Sequence, residues 1–164
     1  MGCVCCKEAR KVQLRWRDDM EKTSIKLQAK NCFVCGYDNP HGLRLPFYYD
    51  GDTVCGTFTP ERWTSGFEEV VHGGILFAVA DEAMMHLLCA AGIRAISAEV
   101  TIRFHNYART GGELKIKAEL IEKSEHLIKA KCYLTNIKGD RIATASGKFL
   151  PFSEKDFKDF EKVF

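Results

Sequence analysis

The sequence predicts an α+β domain in which an antiparallel sheet of about six strands curls round one long central helix, a prediction that rests on three observations. Two segments before a single apolar helix and four after it alternate apolar and polar residues at the period of a strand. The helix, Gly73 to Ala91, carries Ile75, Leu76, Phe77, Val79, Met84, Met85, Leu87 and Leu88 on nearly every side, so more than one wall must bury it. The last strand offers Ala143, Ala145 and Gly147 on one face, small enough for a helix backbone to come close.

From Lys7 to Lys30 the chain is charge-rich, with Ala9, Val12, Trp16, Met20 and Leu27 at helical spacing, which predicts an amphipathic arm. Asn39-Pro40-His41-Gly42 is a turn, followed by the alternating Leu43, Leu45, Phe47 and Tyr49. Asp50-Gly51-Asp52 predicts a hairpin into a return strand, Thr53 to Thr59, that Pro60 ends. Past the helix, Ile96, Ala98, Val100, Ile102 and Phe104 alternate with Ser97, Glu99, Thr101 and Arg103. Leu114 to Leu120 and Ile128 to Leu134 repeat the pattern, and Lys138-Gly139-Asp140 turns into a last strand, Arg141 to Leu150. One apolar and one solvated face per strand is the mark of an antiparallel sheet covered on one side. Ser153 with Asp156 resembles a capping box, and Phe157, Phe160 and Phe164 form a short helical stripe behind it. The expected organisation is an N-terminal arm with a cysteine cluster (1–31), one domain (32–152) and a short C-terminal helix (153–164).

At 164 residues, 46% hydrophobic and 28% charged, the chain has ordinary globular composition for one domain. Lys and Arg number 24 against 22 Asp and Glu, so no basic excess points to nucleic acid. The apolar stretch from Val70 to Ile93 contains Asp81, Glu82, His72 and His86, which excludes a lipid-facing span. The opening Met1-Gly2 is followed by Cys6 where a myristoylation signal wants Ser or Thr. With no apolar stretch behind a basic start, a cytoplasmic protein without a membrane partner is expected. Cys55, Cys89 and Cys132 sit singly in apolar stretches as small core residues. Cys32-Phe33-Val34-Cys35-Gly36 is a knuckle, and Cys3, Cys5 and Cys6 form a second group. The expectation is no metal and no cofactor, with a tetrahedral zinc on Cys32, Cys35, Cys3 and Cys6 as the alternative.

Two features of the helix point to chemistry. Asp81 shares a face with Phe77, Ala78, Met85 and Leu88, and a buried carboxylate is costly unless compensated. Either a partner such as His86 or an arginine satisfies it, or it faces a solvent gap, or it is a base with a perturbed pKa. Glu82, about 100° further round, is the alternative acid. At the other end, His72-Gly73-Gly74 opens the helix, and its first amides, without internal partners at the positive end of the dipole, can hold an oxyanion. His72 itself is expected to order that turn. Asp81 lies eight residues beyond Gly73, about 12 Å along the axis, too far for both to reach one reacting group within one helix. Two copies packed about a two-fold axis remove the conflict.

These residues resemble the hotdog-fold acyl-CoA thioesterase superfamily, in the branch similar to phenylacetyl-CoA thioesterases. The resemblance spans Cys32 to Pro151 through Cys32-Phe33-Val34-Cys35-Gly36, Asn39-Pro40-His41-Gly42-Leu43, Val71-His72-Gly73-Gly74-Ile75, Asp81-Glu82-Ala83-Met84 and Ser97-Ala98-Glu99-Val100-Thr101-Ile102-Arg103-Phe104. It implies a helix wrapped by the sheet, and subunits paired through a continuous sheet as a homodimer or a dimer of dimers (a homotetramer). It further implies an acyl-CoA substrate with Asp81 as general base or nucleophile, the Gly73 amide of the opposite subunit polarising the carbonyl, and Ser97 positioning water. His72 and Gly74 accompany Gly73, while Glu82, Arg103 and Arg109 are candidates on the substrate side, the arginines for the phosphates of coenzyme A. Some relatives carry an amide side chain shortly before the histidine, where this chain reads Ser65-Gly66-Phe67-Glu68. Two other functions use the same residues: a hotdog hydratase/dehydratase with His72 and Asp81 moving protons, and a non-catalytic acyl-CoA-binding module.

Overall fold

The structure is a computed structural model that describes residues 25–27, 30–50 and 52–152. Among the described residues nine strands and one long helix form in chain order: β1 (Ile25–Leu27), β2 (Phe47–Asp50), β3 (Thr53–Phe58), β4 (Ser65–Phe67), β5 (Val70–Val71), α1 (Gly73–Ala90), β6 (Ala95–Phe104), β7 (Leu114–Lys123), β8 (Ile128–Asn136) and β9 (Arg141–Pro151). Seven of them make one antiparallel sheet in the order β1-β2-β3-β7-β8-β9-β6, while β4 and β5 pair as a separate hairpin. The sheet curls round α1, which packs against β2, β3, β6, β7, β8 and β9. This is the hotdog arrangement. Phe47, Val54, Val79, Met84, Leu88, Ile128, Leu134 and Phe149 are fully buried between helix and sheet.

The sheet has one strand more than expected. Ile25, Lys26 and Leu27 pair with Tyr49, Tyr48 and Phe47, so a helix running through to Lys30 is not what forms there. The edge of β2 offers this segment a ladder of backbone hydrogen bonds in place of a helix's own, and tertiary pairing overrides local propensity. The rest of the arm with Cys3, Cys5 and Cys6, and the expected helix from Ser153, lie outside the described residues.

The strand expected from Leu43 begins only at Phe47. Arg44 takes φ 53°, and Pro46 has no amide to give a ladder. Leu43 and Leu45 instead donate their amides to the carbonyls of Phe33 and Val34 at 2.8 Å, which ties the cysteine knuckle to the sheet. The β4–β5 hairpin, its turn holding Glu68 at φ 40°, was not expected from the sequence.

A bulge in β6 changes which side chains face the helix. Ser97 pairs with Phe149, but the next pair is Glu99 with Lys148, so Ala98 is the extra residue. Strict alternation would put Ser97 and Glu99 on one face. Here Ser97 shares the inner face with Phe149, and Glu99 points outward to an ion pair with Lys148 at 2.9 Å. Ile96, expected on the apolar face, is 53% exposed.

The small-residue face of β9 lies against the helix as expected. A Cβ at Gly147 would sit 2.5 Å from the Phe149 ring and 3.2 Å from Met84 Cε. Both neighbours are fully buried and cannot retreat. Gly147→Val is expected to lower stability by about 1–3 kcal/mol, read as a fall in Tm, whereas Lys115→Ala on the exposed face stays within about 0.5 kcal/mol.

Candidate active site

Helix α1 starts at His72, whose extended backbone (φ −61°, ψ 133°) makes it the N-cap. Its Nδ1 accepts from the Gly74 amide at 2.9 Å, and its carbonyl accepts from Ile75 and Leu76. The His72 ring thus orders the turn, as the sequence suggests. Among the described residues the Gly73 amide has no acceptor, which leaves a polarised donor at the positive end of the helix. A Cβ on Gly73 would stand 3.2 Å from the ring of Phe104 at the far end of β6.

Two turns along, Asp81 is half-buried and accepts a hydrogen bond from Ser97 Oγ at 2.9 Å. The bulge at Ala98 makes that contact possible. Among the described residues no cation pairs with Asp81. Burial pushes its carboxyl above the usual range, the Ser97 hydroxyl draws it back, and the neighbouring Glu82 charge adds to the rise. A rise from the ordinary carboxylate range moves a group toward the pKa at which a general base works best near neutral pH.

Glu82 does not join Asp81. It turns to the neighbouring face of α1, where Cys32 Sγ donates to its Oε1 at 3.2 Å and His86 Nε2 stands 3.2 Å away. His86 therefore neighbours Glu82 rather than Asp81. Burial works against the charge of Glu82 most strongly, but His86 and the thiols of Cys35 and Cys32 outweigh it and hold the carboxyl below its usual range. The Cys32 thiol is pushed well above its usual range, first by its hydrogen bond with Cys35 and then by burial. This cluster was missed at the sequence level, although Glu82 and His86 stand at the one-turn spacing that brings side chains together.

The two arginines lie apart from Asp81's hydrogen-bond partner. Arg103 is exposed on β6. Arg109 is also exposed, stacked over the Tyr107 ring at 5.2 Å and 3.4 Å from Glu69. A cleft of about 180 Å³ runs between Leu43–Pro46 and Trp63, and another of about 390 Å³ lies on β7–β9. Neither includes Asp81. The structure thus brings Ser97 to Asp81, and His72 and Gly74 to Gly73, but within one chain it keeps the two groups about two turns apart, one at the start of the helix and one at its middle.

The sequence profile of the thioesterase superfamily matches residues 68–143, the span from the turn before α1 into β9. No curated protein sequence matches the chain. Among solved structures, a hypothetical thioesterase of Streptococcus pneumoniae TIGR4 with coenzyme A superposes with a TM-score of 0.63 at 18% identity, covering 65% of this chain and 84% of that one. The Escherichia coli PaaI protein from the phenylacetic acid degradation operon gives 0.60 at 22% identity, covering 62% and 78%. The smu.793 protein of Streptococcus mutans UA159, bound to acetyl-CoA, gives 0.62 at 12% identity, covering 84% and 95%. The chain has the hotdog fold, and its residues 68–143 match the sequence profile of the thioesterase superfamily.

Proposed function

We propose that this protein is an acyl-CoA thioesterase whose active sites are each completed by two subunits. The observation that carries the reading is the Asp81 carboxylate on an apolar helix, held by the Ser97 hydroxyl at 2.9 Å and by no cation among the described residues. A carboxylate kept this way is oriented and still free to take a proton. Solved relatives of the same fold that carry coenzyme A or acetyl-CoA support the ligand class.

Symmetry supports the pairing. Among the described residues strand β6 is the sheet's last strand, ten residues long and bonded on one side only to β9. An unpaired edge of that length, with Ile96 and Phe104 about half-exposed, is a template for a second copy. Ser97 and Asp81 lie near one end of β6, and Phe104 and Gly73 near the other. Antiparallel pairing of two β6 strands about their midpoint sets Ser97 of one subunit opposite Ile102 of its partner, two residues from Phe104. Asp81 of the first then approaches Gly73 of the second, which resolves the separation of about 12 Å along one helix.

In the resulting reaction the thioester carbonyl oxygen accepts from the partner's Gly73 amide. Asp81 takes a proton from water as the water oxygen bonds to the carbonyl carbon, and the charge that develops on the carbonyl oxygen rests on the helix terminus. Collapse breaks the C–S bond, and the leaving thiolate of coenzyme A recovers the proton from Asp81. Direct attack by Asp81, giving a mixed anhydride that water then hydrolyses, uses the same geometry.

Asp81→Asn is expected to lower kcat at least about 100-fold with far-UV circular dichroism and acyl-CoA binding retained. Loss of the Ser97 hydroxyl in Ser97→Ala should cost about tenfold, the worth of one hydrogen bond to a charged group. Release of free thiol from acyl-CoA, followed with a thiol reagent, is the readout. A dehydratase or a binding module releases none, and unchanged turnover in Asp81→Asn removes Asp81 from the mechanism.

The Gly73 amide can be deleted on its own. Gly73 is the first helical residue, where proline is well tolerated, and His72 already has the extended backbone that proline demands of its predecessor. Gly73→Pro should lower kcat at least about 100-fold, while Gly73→Ala, which adds a Cβ but keeps the N–H, retains most activity. Equal losses in the two variants would assign the effect to the Phe104 contact instead of the amide.

A further inference from the structure

The Cys32–Cys35 knuckle folds onto the helix face that carries Glu82, next to the one that carries Asp81, among donors suited to a metal. We propose that Cys32, Cys35, Glu82 and His86 form a zinc site that pins the knuckle to α1. The sulfurs of Cys32 and Cys35 and a carboxylate oxygen of Glu82 all lie within 4.8 Å of one another. His86 is only 3% exposed, yet neither of its ring nitrogens has a hydrogen-bond partner of acceptable geometry. A buried imidazole whose Nε2 faces Glu82 Oε1 at 3.2 Å and whose Nδ1 has no hydrogen-bond partner among the described residues has a ring nitrogen available to a metal.

The spacing fits. Donors held about 2.0–2.3 Å from a tetrahedral zinc lie about 3.3–3.8 Å from one another. Here Glu82 Oε1 is 3.2 Å from Cys32 Sγ and 3.2 Å from His86 Nε2. His86 stands outside that close trio and touches it at Glu82 Oε1, so it would complete the set as fourth ligand by a shift of its ring toward the two sulfurs. Two thiolates, an imidazole and a carboxylate are a borderline-soft set that suits zinc and not magnesium or calcium.

The loop is built for it. The Val34 amide donates to Cys32 Sγ at 3.3 Å and the Gly36 amide to the Cys32 carbonyl at 3.0 Å. A Cβ at Gly36 would fall 2.3 Å from that carbonyl oxygen, so the turn after the second cysteine has room only for glycine. From the helix, Glu82 and His86 project one turn apart on one face. This arrangement takes Glu82 and His86 where the sequence offered Cys3 and Cys6, which lie outside the described residues, and it stands independently of the thioesterase reading.

The test uses the full chain, stripped with a chelator and titrated with Co(II) and then Zn(II). One cobalt per chain is expected, with the visible bands of a tetrahedral ion and thiolate-to-cobalt charge transfer, displaced by zinc. X-ray absorption of the wild-type zinc form should give two sulfur and two nitrogen or oxygen neighbours. Glu82→Gln should weaken cobalt binding at least about tenfold. Absence of the charge-transfer band, a four-sulfur shell, or unchanged affinity in Glu82→Gln overturns the proposal. The wild-type spectra decide it even if the variant fails to fold.

Discussion

A carboxylate cannot sit in the middle of an apolar helix without something to compensate it, and in this protein that compensation is a hydroxyl from the neighbouring strand. An arginine or lysine there would lock Asp81 into an ion pair with its charge already spent. The Ser97 hydroxyl fixes the direction of the carboxylate and leaves its charge available. That single contact depends on the bulge at Ala98, which depends on β6 lying at the sheet edge, where an irregular register costs least. The wrapped helix, the curled sheet and the bulge are thus one construction, with Asp81 at its centre.

The helix also imposes a length. Its N-terminal amides and its buried acid are fixed about 12 Å apart, and no side-chain motion closes that gap. Catalysis that needs both must take them from two helices, and an edge strand with Asp81 beside one end and Gly73 beside the other delivers that by symmetry alone. The two faces of α1 then divide the work. In the proposed enzyme the Asp81 side meets the substrate at the subunit boundary. The Glu82 and His86 side meets the knuckle, whose backbone is sewn to Leu43 and Leu45 just before the sheet.

Much of this was legible in the residues, for identifiable reasons. All-round apolarity marked α1 to within a residue at its C-terminal end, because a helix buried on every side has no polar stripe to blur the reading. The four strands after it showed through their alternation, and His72-Gly73-Gly74 marked the helix start. Ser97 was a different matter. Alternation places it on the solvated face with Glu99, and only its resemblance to a family motif singled it out, since one extra residue in a strand leaves no mark in a period of two. The stretch Leu43–Pro46 alternated like a strand but was disqualified by Arg44 and Pro46. The β4–β5 hairpin is too short for periodicity to register. The knuckle's true neighbours were hidden because Glu82 and His86 are fifty residues away in the chain, and only the fold brings them to Cys32.

The most direct test of the shared site mixes two inactive proteins. Asp81→Asn and Gly73→Pro subunits are denatured together in equal amounts and refolded, and hydrolysis of an acyl-CoA is compared with each variant refolded alone. Half of the dimers are then mixed, and each mixed dimer holds one site with an intact Asp81 and an intact Gly73 amide. The account predicts recovery of about one quarter of wild-type activity. No recovery, with mixed dimers demonstrably formed, would contradict it and return both groups to a single chain.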